Sequence, residues 1–285
     1  MTAHVRGIAG GRLHCQHGPI DLIIGATGPA TEICRAYAAV AEVFPAILPR
    51  LVGELSQLRT PLSASAPVPQ FAGPVAQRMA AAVWPYRDVF ITPMAAVAGA
   101  VADEVLQAMT AAAVLDRAYV NNGGDIAIHL ASGARMTVGV VADLTVPAID
   151  ATIAITWADP VRGIATSGWR GRSQSLGIAD AVTVLAGSAA DADAAATIIA
   201  NAVDADDPAI CRLPARQIKA DSDLGNLLVT VQVGPIAPDV RRAALDRGLK
   251  KATTLVLKDQ IVAACLSCQG ETRIAGIVRQ AEIAA

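Results

Sequence analysis

The chain has 285 residues, of which 53% are hydrophobic and only 3% aromatic, so its core has to be built from Ala, Val, Ile and Leu. Lys and Arg (23) nearly balance Asp and Glu (25), which excludes binding of nucleic acid through a basic surface. The longest apolar stretch, Met94–Leu115, is interrupted by Asp103, Glu104 and Gln107, so no membrane span is expected. Five cysteines and a start without a signal-peptide pattern predict a cytoplasmic protein with reduced thiols.

The first part of the chain predicts two strands followed by helices. A tight corner, His17-Gly18-Pro19, separates the strands, and the first helix carries apolar residues at helical spacing. Pro45 and Pro49 fall inside that helix, so we expect a kink or a break there. The predicted elements are strands Arg12–Gln16 and Asp21–Ala26, helices Pro29–Gln57, Gly73–Val83 and Pro93–Ala113, and a surface loop at Thr60–Pro69.

Beyond Asp116 the apolar pattern changes to the alternation of strands. The predicted strands are Tyr119–Asn121, Asp125–Leu130, Arg135–Val141, Ala151–Trp157, Gly163–Ser167, Asp180–Ala186, Leu227–Gly234, Thr254–Leu257, Gln260–Ser267 and Arg273–Val278. Two helices, Ala189–Val203 and Pro238–Lys250, and an Asp- and Pro-rich linker, Asp204–Asp223, lie among them. This order indicates an α+β fold rather than strict β-α-β alternation. No change in composition divides the chain into independent domains.

The sharpest local feature is the segment Asn121-Asn-Gly-Gly-Asp125, between two strand patterns. Gly123 and Gly124 permit positive φ and an unshielded backbone, which would bring amides close to a phosphate or a planar ring. Asp125 would accept a hydrogen bond from a ribose or a ring N–H. The alternative interpretation is a hairpin turn of the Asn-Gly type, with no ligand.

A second glycine-containing bend, Gly163-Ile-Ala-Thr-Ser-Gly168, is followed by Arg170 and Arg172. Hydroxyl groups, an open backbone and two guanidinium groups so close together suit an anion or a phosphate. The alternative is a strand that ends in a polar loop with solvated arginines.

The third feature is the start of the Ala-rich helix. Ser188 and Asp191 have the spacing of a helix N-cap and its acidic partner. Asp193 and Thr197 are four residues apart, so they project from one face of the helix. A carboxylate beside a hydroxyl suits Mg²⁺, which prefers oxygen ligands, although the same pair is also ordinary on a polar helix face.

Taken in this order, these segments resemble the ApbE superfamily, whose best-known members are FAD:protein FMN transferases. The likeness lies in Asn121–Asp125, Ala165–Gly168, Ala181–Ser188 with Asp193–Thr197, and a small-residue helix at Ala95–Ala102. Further segments are similar to an uncharacterised ApbE-like branch, so that the resemblance covers nearly the whole chain. They are Gly18-Pro19, Ser173–Asp180, Asp221–Gly225 and Val231–Pro235.

The resemblance implies one domain, residues 1–285, built of two intertwined T-fold-like subdomains with antiparallel sheets, packed helices and a flavin-sized cleft between them. It implies FAD or FMN as cofactor, with Mg²⁺ on the side chains of Asp193 and Thr197 and the carbonyl of Ala98. The implied cofactor-binding residues are Asn122, Gly123, Gly124, Asp125, Thr166, Ser167, Gly168 and Arg170.

One departure bears on the reaction. The transferases carry a His-x-x-Asp-Pro-x-Thr-Gly stretch after the Thr-Ser-Gly bend, where this chain has Ser173-Gln-Ser-Leu-Gly177. Neither the His nor the Asp-Pro pair is present, which argues against FMN transfer to a protein. We therefore leave open whether the chain is a transferase or an enzyme with a diverged activity.

Three functions fit the pattern. The first is an ApbE-like protein that binds a flavin or a related small molecule. The second, which the resemblance to the ApbE-like branch implies, is an enzyme of sulfur-transfer or N-heterocycle metabolism that uses the same cleft, with Cys265 or Cys211 as nucleophile. The third is a non-catalytic flavin carrier or an assembly partner of a redox enzyme. A small-molecule ligand is expected in each case, nucleic acid and membrane are not, and assembly as a homo-oligomer stays open.

Overall fold

The structure is a computed structural model that describes residues 2–140, 151–171, 173–276 and 281–283. Its residues divide into two compact units. The first unit consists of Met1–Met136, Ile155–Ala165 and Ala186–Ala194, and the second of Thr137–Ala154, Thr166–Leu185 and Ala195–Ala285. The expectation of a single domain made of two T-fold-like subdomains stays a prediction.

Helices and antiparallel strands are both present, which confirms the predicted α+β class. The strands are β1 His4–Ile8, β2 Arg12–His17, β3 Ile20–Thr27, β4 Arg117–Asn122, β5 Asp125–Leu130, β6 Arg135–Val140, β7 Ala151–Thr156, β8 Gly163–Ser167, β9 Ala181–Ala186, β10 Ile210–Pro214, β11 Leu228–Val233, β12 Ala263–Cys268, β13 Glu271–Gly276 and β14 Ala281–Ile283. The α-helices are α1 Ala30–Gly53, α2 Leu55–Leu58, α3 Pro74–Val83, α4 Val97–Ala112, α5 Ala189–Ala202, α6 Ala215–Ile218 and α7 Pro238–Leu257. Short 3-10 turns lie at Trp84–Tyr86 and Pro93–Ala96.

In the first unit, β1 to β5 form an antiparallel sheet in sequence order. The start of β8 pairs with β5, where Ile164 lies opposite Ile126. Helices α1 and α4 pack against each other, and α4 packs on β4 and β5. Fully buried side chains of Leu22, Phe44 and Met109 belong to this core.

In the second unit, β12 pairs with β9 and with β13, and α7 packs on β12 and β13. A separate hairpin joins β10 and β11, and β14 pairs with β7. Gly248 on α7 marks a close approach, because an added Cβ would overlap the side chain of Val203. The core of this unit therefore depends on small residues, as the composition indicated.

Helix α1 runs through both of its prolines to Gly53, so it is not broken at Pro45 or Pro49, and a kink there stays a prediction. Both prolines face solvent, where water can bond the carbonyls that lose their helical partner. By length and composition alone, α1 is the helix in the described part of the chain that could cross a membrane. Its buried side chains lie at helical spacing, at Ala36, Val40, Phe44, Ile47 and Leu51. Cytoplasmic localisation stays a prediction.

Three other elements differ from the sequence-based expectation. The linker predicted at Asp204–Asp223 contains β10 and α6, because the Asp- and Pro-rich flanks obscured the short alternating pattern of β10. Helix α7 continues to Leu257, so the strand predicted at Thr254–Leu257 is wrong. The edge strand β1, largely exposed, was not predicted. The ends of the predicted strands Arg135–Val141 and Arg273–Val278 lie outside the described residues.

Candidate functional site

The N-terminus of α4 is bound by a carboxylate that is remote in sequence. Ala96 occupies the N-cap position and has no side chain that could accept a hydrogen bond. The Asp193 carboxylate takes that role, since its Oδ2 accepts from the Gly99 amide at 3.1 Å and the Ala98 amide also donates to it. These are the amides that a capping side chain normally satisfies. Asp193 therefore caps a helix to which it does not belong.

Helix α5, which carries Asp193, is capped in turn from α4. Asp103 on α4 accepts from the amides of Ala189 and Ala190 through its two carboxylate oxygens, at 3.1 and 2.9 Å. Ser188 Oγ accepts from the Asp191 amide at 3.1 Å and donates to the Asp191 carboxylate at 2.6 Å. The local cap predicted from Ser188 and Asp191 is thus present.

Two more residues complete the arrangement at the start of α4. The buried Asn122 side chain donates from Nδ2 to the Ala98 carbonyl at 3.0 Å. Asp125 lies across the β4–β5 hairpin from Asn122, as its strand partner. We call Asp193, Asp125, Asn122 and the Ala98 carbonyl the α4 cluster; all four belong to the first unit.

Negative charge accumulates in the α4 cluster. Burial raises the pKa of Asp193 well above its ordinary value of 3.8, and the charges of Asp125 and Asp103 raise that pKa further. The Gly99 and Ala98 amides lower it, but they do not compensate. Ionisation of this carboxyl group is therefore costly, and a bound cation would offset that cost.

The donor set of the α4 cluster fits Mg²⁺. Two carboxylates and a backbone carbonyl are hard oxygen donors, and Mg²⁺ in proteins takes one or two carboxylates and keeps several waters. Within the described ranges, no group of three or more His, Cys, Asp or Glu side chains is placed to hold a metal ion. Thr197, the other predicted ligand, is half-buried on α5, four residues beyond Asp193.

The glycine pair forms the hairpin turn that was the alternative interpretation. Gly123 and Gly124 have φ of 66° and 118°, between the paired residues Asn122 and Asp125. The Gly124 amide donates to Asn121 Oδ1 at 2.8 Å, so this amide is already used within the turn. The turn is exposed, and no heavy atom lies within 4 Å of an added Cβ at Gly124. A ligand contact here stays a prediction.

The Thr-Ser-Gly bend lies in the second unit and is tied to Asp180. Asp180 Oδ1 accepts from Trp169 Nε1 and from Arg170 Nε, both at 3.1 Å, and Arg170 stacks on the Trp169 ring. Gly168 lies so close to Asp180 that an added Cβ would overlap its carbonyl. The structure thus holds Arg170 in an ion pair rather than leaving its guanidinium free. Arg172 lies outside the described residues.

The Thr166 hydroxyl is exposed and lies 2.9 Å from the Thr183 hydroxyl, while Ser167 is buried. Thr166, Ser167 and Gly168 belong to the second unit. Their assignment to cofactor binding stays a prediction, and so does that of Arg170.

The stretch that replaces the transferase sequence, Ser173–Gly177, is held by side-chain hydrogen bonds within the second unit. Gln174 donates to the Ala215 carbonyl at 3.0 Å and accepts from the Ser222 hydroxyl at 2.5 Å. Asn201 on α5 accepts from the Ser175 hydroxyl at 3.1 Å and from the Leu176 amide at 2.9 Å. These polar groups anchor a loop, and they show no arrangement of acid and base.

The cysteines do not favour a nucleophile at Cys265. Burial raises the pKa of Cys265, and it raises that of Cys268 to about 12, so both thiols stay protonated near neutral pH. Cys211 is exposed on β10.

A pocket of about 220 Å³ in the first unit has walls from α1, α3 and α4, and none of the predicted cofactor residues lines it.

Sequence reasoning missed Asp103, which appeared only as an interruption of an apolar stretch. A signal was present, since a small-residue helix that starts at Ala96-Val97 has no capping side chain of its own. Such a helix needs a partner from elsewhere in the fold for its first amides.

Comparison with known proteins identifies relatives over much of the chain. The model of the family described as AbpE bacteria matches residues 4–274. A UPF0280 protein of Methanothrix thermoacetophila is 37% identical over 157 residues, which cover 54% of this chain and 64% of that protein. A UPF0280 protein of Methanopyrus kandleri is 36% identical over 155 residues, 54% of this chain and 59% of that protein. The matches thus span less than two thirds of these relatives' own length.

Two solved structures are similar at low sequence identity. The flavinyl transferase ApbE of Pseudomonas stutzeri, in its apo form, is 14% identical with a TM-score of 0.43, over 96% of this chain and 95% of that one. A variant of the flavin transferase ApbE from Vibrio cholerae is 14% identical with a TM-score of 0.42, over 92% of this chain and 95% of that one.

Proposed function

Because the chain belongs to the family described as AbpE bacteria, we propose that it binds a flavin nucleotide, FAD or FMN, together with Mg²⁺ at the α4 cluster. The membership confirms the kinship with ApbE that the sequence segments indicated. The observation that carries the proposal is the Asp193 carboxylate, held at the N-terminus of α4 against the charge of Asp125.

The metal supports the binding of a phosphate-bearing ligand. Mg²⁺ bound to a carboxylate neutralises the charge of a diphosphate that would otherwise be repelled by Asp193 and Asp125. Asp193, Asp125 and the Ala98 carbonyl are the proposed ligands from this site, and Thr197 remains the predicted ligand one helical turn further along α5. Asn122 orients the Ala98 carbonyl through its hydrogen bond of 3.0 Å.

Residues around the cluster suit the rest of such a ligand. The exposed turn at Gly123 and Gly124 lies directly before Asp125 and leaves space above its backbone. At the start of α4, Val97 and Ala98 are half-buried, whereas Gly99 packs against the Ala189 carbonyl. The assignment of Thr166, Ser167, Gly168 and Arg170, which belong to the second unit, to cofactor binding stays a separate prediction.

We do not extend the proposal to FMN transfer onto a protein. The Ser173–Gly177 stretch lacks the His and Asp-Pro residues, and its polar side chains are used to anchor the loop. Ligand binding without transfer fits a flavin carrier as well as an enzyme with a different reaction. No observation on Cys265 or Cys211 favours the sulfur-transfer alternative.

The experiment is a titration of the purified protein with FAD, FMN and ADP, each with Mg²⁺ and with EDTA. Flavin fluorescence and the melting temperature both report binding, because a ligand that binds the native state stabilises it. We expect Asp125→Asn to weaken the affinity for FAD in Mg²⁺ about tenfold, which is about 1.4 kcal/mol. The matched control is Asp116→Asn, at an exposed position before β4, and it should bind as the unchanged protein does.

Absence of any flavin binding at high micromolar concentration, with and without Mg²⁺, would contradict the proposal. Mass spectrometry of material released from the protein by denaturation then identifies the ligand that it does carry.

A further inference from the structure

Helices α4 and α5 cap each other, and we propose that Asp103 is the positioning residue that holds Asp193 in place for the cation. This inference rests on the proposed function, because it assigns Asp103 a role toward the Mg²⁺ site. Asp103 itself is not a proposed ligand, and its carboxylate oxygens are both used by the amides of α5.

The first four amides of α5 are all satisfied, and Asp103 supplies half of the acceptors. Ala189 and Ala190 donate to Asp103, Asp191 donates to the Ser188 hydroxyl, and Ala192 donates to the Ser188 carbonyl. A complete set of partners fixes the first turn of the helix. Asp193 follows immediately after that turn, so the position of its carboxylate depends on it.

The reverse contact runs from α5 to α4. Asp193 accepts from the Gly99 amide and the Ala98 amide in the first turn of α4, and Asp103 lies one turn further along the same helix, four residues after Gly99. Movement of either carboxylate therefore displaces the start of the helix that carries the other one. Asp103 and Asp193 are coupled although no hydrogen bond joins them.

Close packing makes this coupling stiff. An added Cβ at Gly99 would overlap the Ala189 carbonyl, and one at Gly163 would overlap the backbone of Ser188. The start of α5 is thus enclosed by backbone from α4 and β8, with little room to relax if the Asp103 cap is lost. A stiff support of this kind is what keeps metal ligands in place.

A purely structural cap makes a different forecast from a positioning residue. If Asp103 only stabilises the fold, its loss lowers the melting temperature and leaves the Mg²⁺ affinity of the folded protein unchanged. If it positions Asp193, its loss also weakens Mg²⁺ binding and loosens the amides of α4 that Asp193 holds. Two readouts separate these outcomes.

The first experiment compares Asp103→Asn with Glu104→Gln, its neighbour on α4, which pairs with Arg78 instead. Calorimetric titration with Mg²⁺ alone, well below each melting temperature, should show about tenfold weaker binding for Asp103→Asn and unchanged binding for Glu104→Gln. Hydrogen exchange of the Gly99 amide, which Asp103 does not contact, should be about tenfold faster in Asp103→Asn. Unchanged Mg²⁺ affinity together with unchanged Gly99 exchange would overturn the inference.

The second experiment uses the unchanged protein and so does not depend on the folding of a variant. Saturation with Mg²⁺ should slow exchange of the Ala189 and Ala190 amides, because linkage between the two caps is reciprocal. If Mg²⁺ binds and these amides exchange as before, the coupling is wrong and the proposed function stands. If the unchanged protein binds no Mg²⁺, the metal site of the proposed function fails, and the Gly99 exchange in Asp103→Asn still decides whether Asp103 positions Asp193.

Discussion

The side chain of Asn122, at the end of β4, donates a hydrogen bond of 3.0 Å to the carbonyl of Ala98, in the first turn of α4. This contact joins the hairpin that carries Asp125 to the helix that Asp193 caps. Asn122 is buried, so its amide has no access to bulk water that could replace the bond. We therefore expect Asn122 to affect cofactor binding by an indirect route, because its hydrogen bond orients the Ala98 carbonyl.

Replacement of Asn122 tests that route. Asn122→Ala removes a buried hydrogen bond and should lower the free energy of unfolding by about 1 kcal/mol. It should also weaken Mg²⁺-dependent FAD binding, since the carbonyl loses its orientation. The control is Asn121→Ala, which removes the turn bond to the Gly124 amide. Equal loss of FAD affinity in both variants would show that the hairpin, not the Ala98 contact, is responsible.

The close approach of α4 and α5 predicts that replacement of one glycine by alanine lowers the stability of the fold strongly, whereas the same replacement at another glycine changes it little. Gly99→Ala places a Cβ against the Ala189 carbonyl, so we expect a loss of about 1–3 kcal/mol from overpacking. Gly187→Ala meets no heavy atom within 4 Å and should change stability by less than about 0.5 kcal/mol. Denaturant unfolding of the two variants measures both values. A Gly99→Ala protein as stable as the unchanged one would contradict the described packing.

Thiol labelling tests the burial of the cysteines. Cys34 and Cys211 are exposed and should react rapidly with a thiol reagent at neutral pH. Cys15 and Cys268 should react only on unfolding, because burial raises the pKa of Cys15 to about 11 and that of Cys268 to about 12. Rapid modification of Cys265 in the folded protein, located by peptide mapping, would revive the sulfur-transfer alternative.

Much of the site was visible in the sequence because it consists of local patterns. The glycine turn at Asn121–Asp125, the Ser188 cap and the small-residue helix can each be recognised from a few consecutive residues. Asp103 was not visible in this way, because its partners lie 86 and 87 residues away along the chain. Beside Glu104 in an apolar helix, it looks like part of a solvated charged face. Contacts of that range follow from the packing of helices and not from residue spacing.

The same reasoning explains the errors in the fold. Lys250 and Lys251 looked like the end of α7, yet the helix continues because Ala252 and Leu255 extend its buried face. Strand β10 is short and flanked by Asp and Pro, so its alternation was too brief to outweigh the loop composition. Burial extends α7 beyond its lysines, whereas β10 forms through its antiparallel pairing with β11.

The ion pair between Glu271 and Arg241 predicts part of the loss of folding stability at low pH. The hydrogen bond from Arg241 holds the pKa of Glu271 below its ordinary value of 4.5. The folded state therefore binds fewer protons than the unfolded state, and stability that is present above pH 4.5 is lost as the pH falls through the lower folded pKa. Glu271→Gln should flatten this part of the pH profile of the melting temperature. An identical profile in the variant would argue against the ion pair.

The central claim is that Asp193 holds Mg²⁺ for a flavin nucleotide, and Asp193→Asn tests it most directly. The amide keeps an acceptor for the Gly99 N–H and removes the charge that Asp125 opposes, so the protein without metal should melt no lower than the unchanged one. The control is Asp191→Asn, whose side chain serves the Ser188 cap. The measurement is the FAD affinity of the three proteins in Mg²⁺ and in EDTA. We expect Mg²⁺ to strengthen FAD binding about tenfold or more in the unchanged protein and in Asp191→Asn, and to have no effect in Asp193→Asn. If Asp193→Asn gains as much affinity from Mg²⁺ as the unchanged protein does, Asp193 is not the metal ligand and the account is wrong.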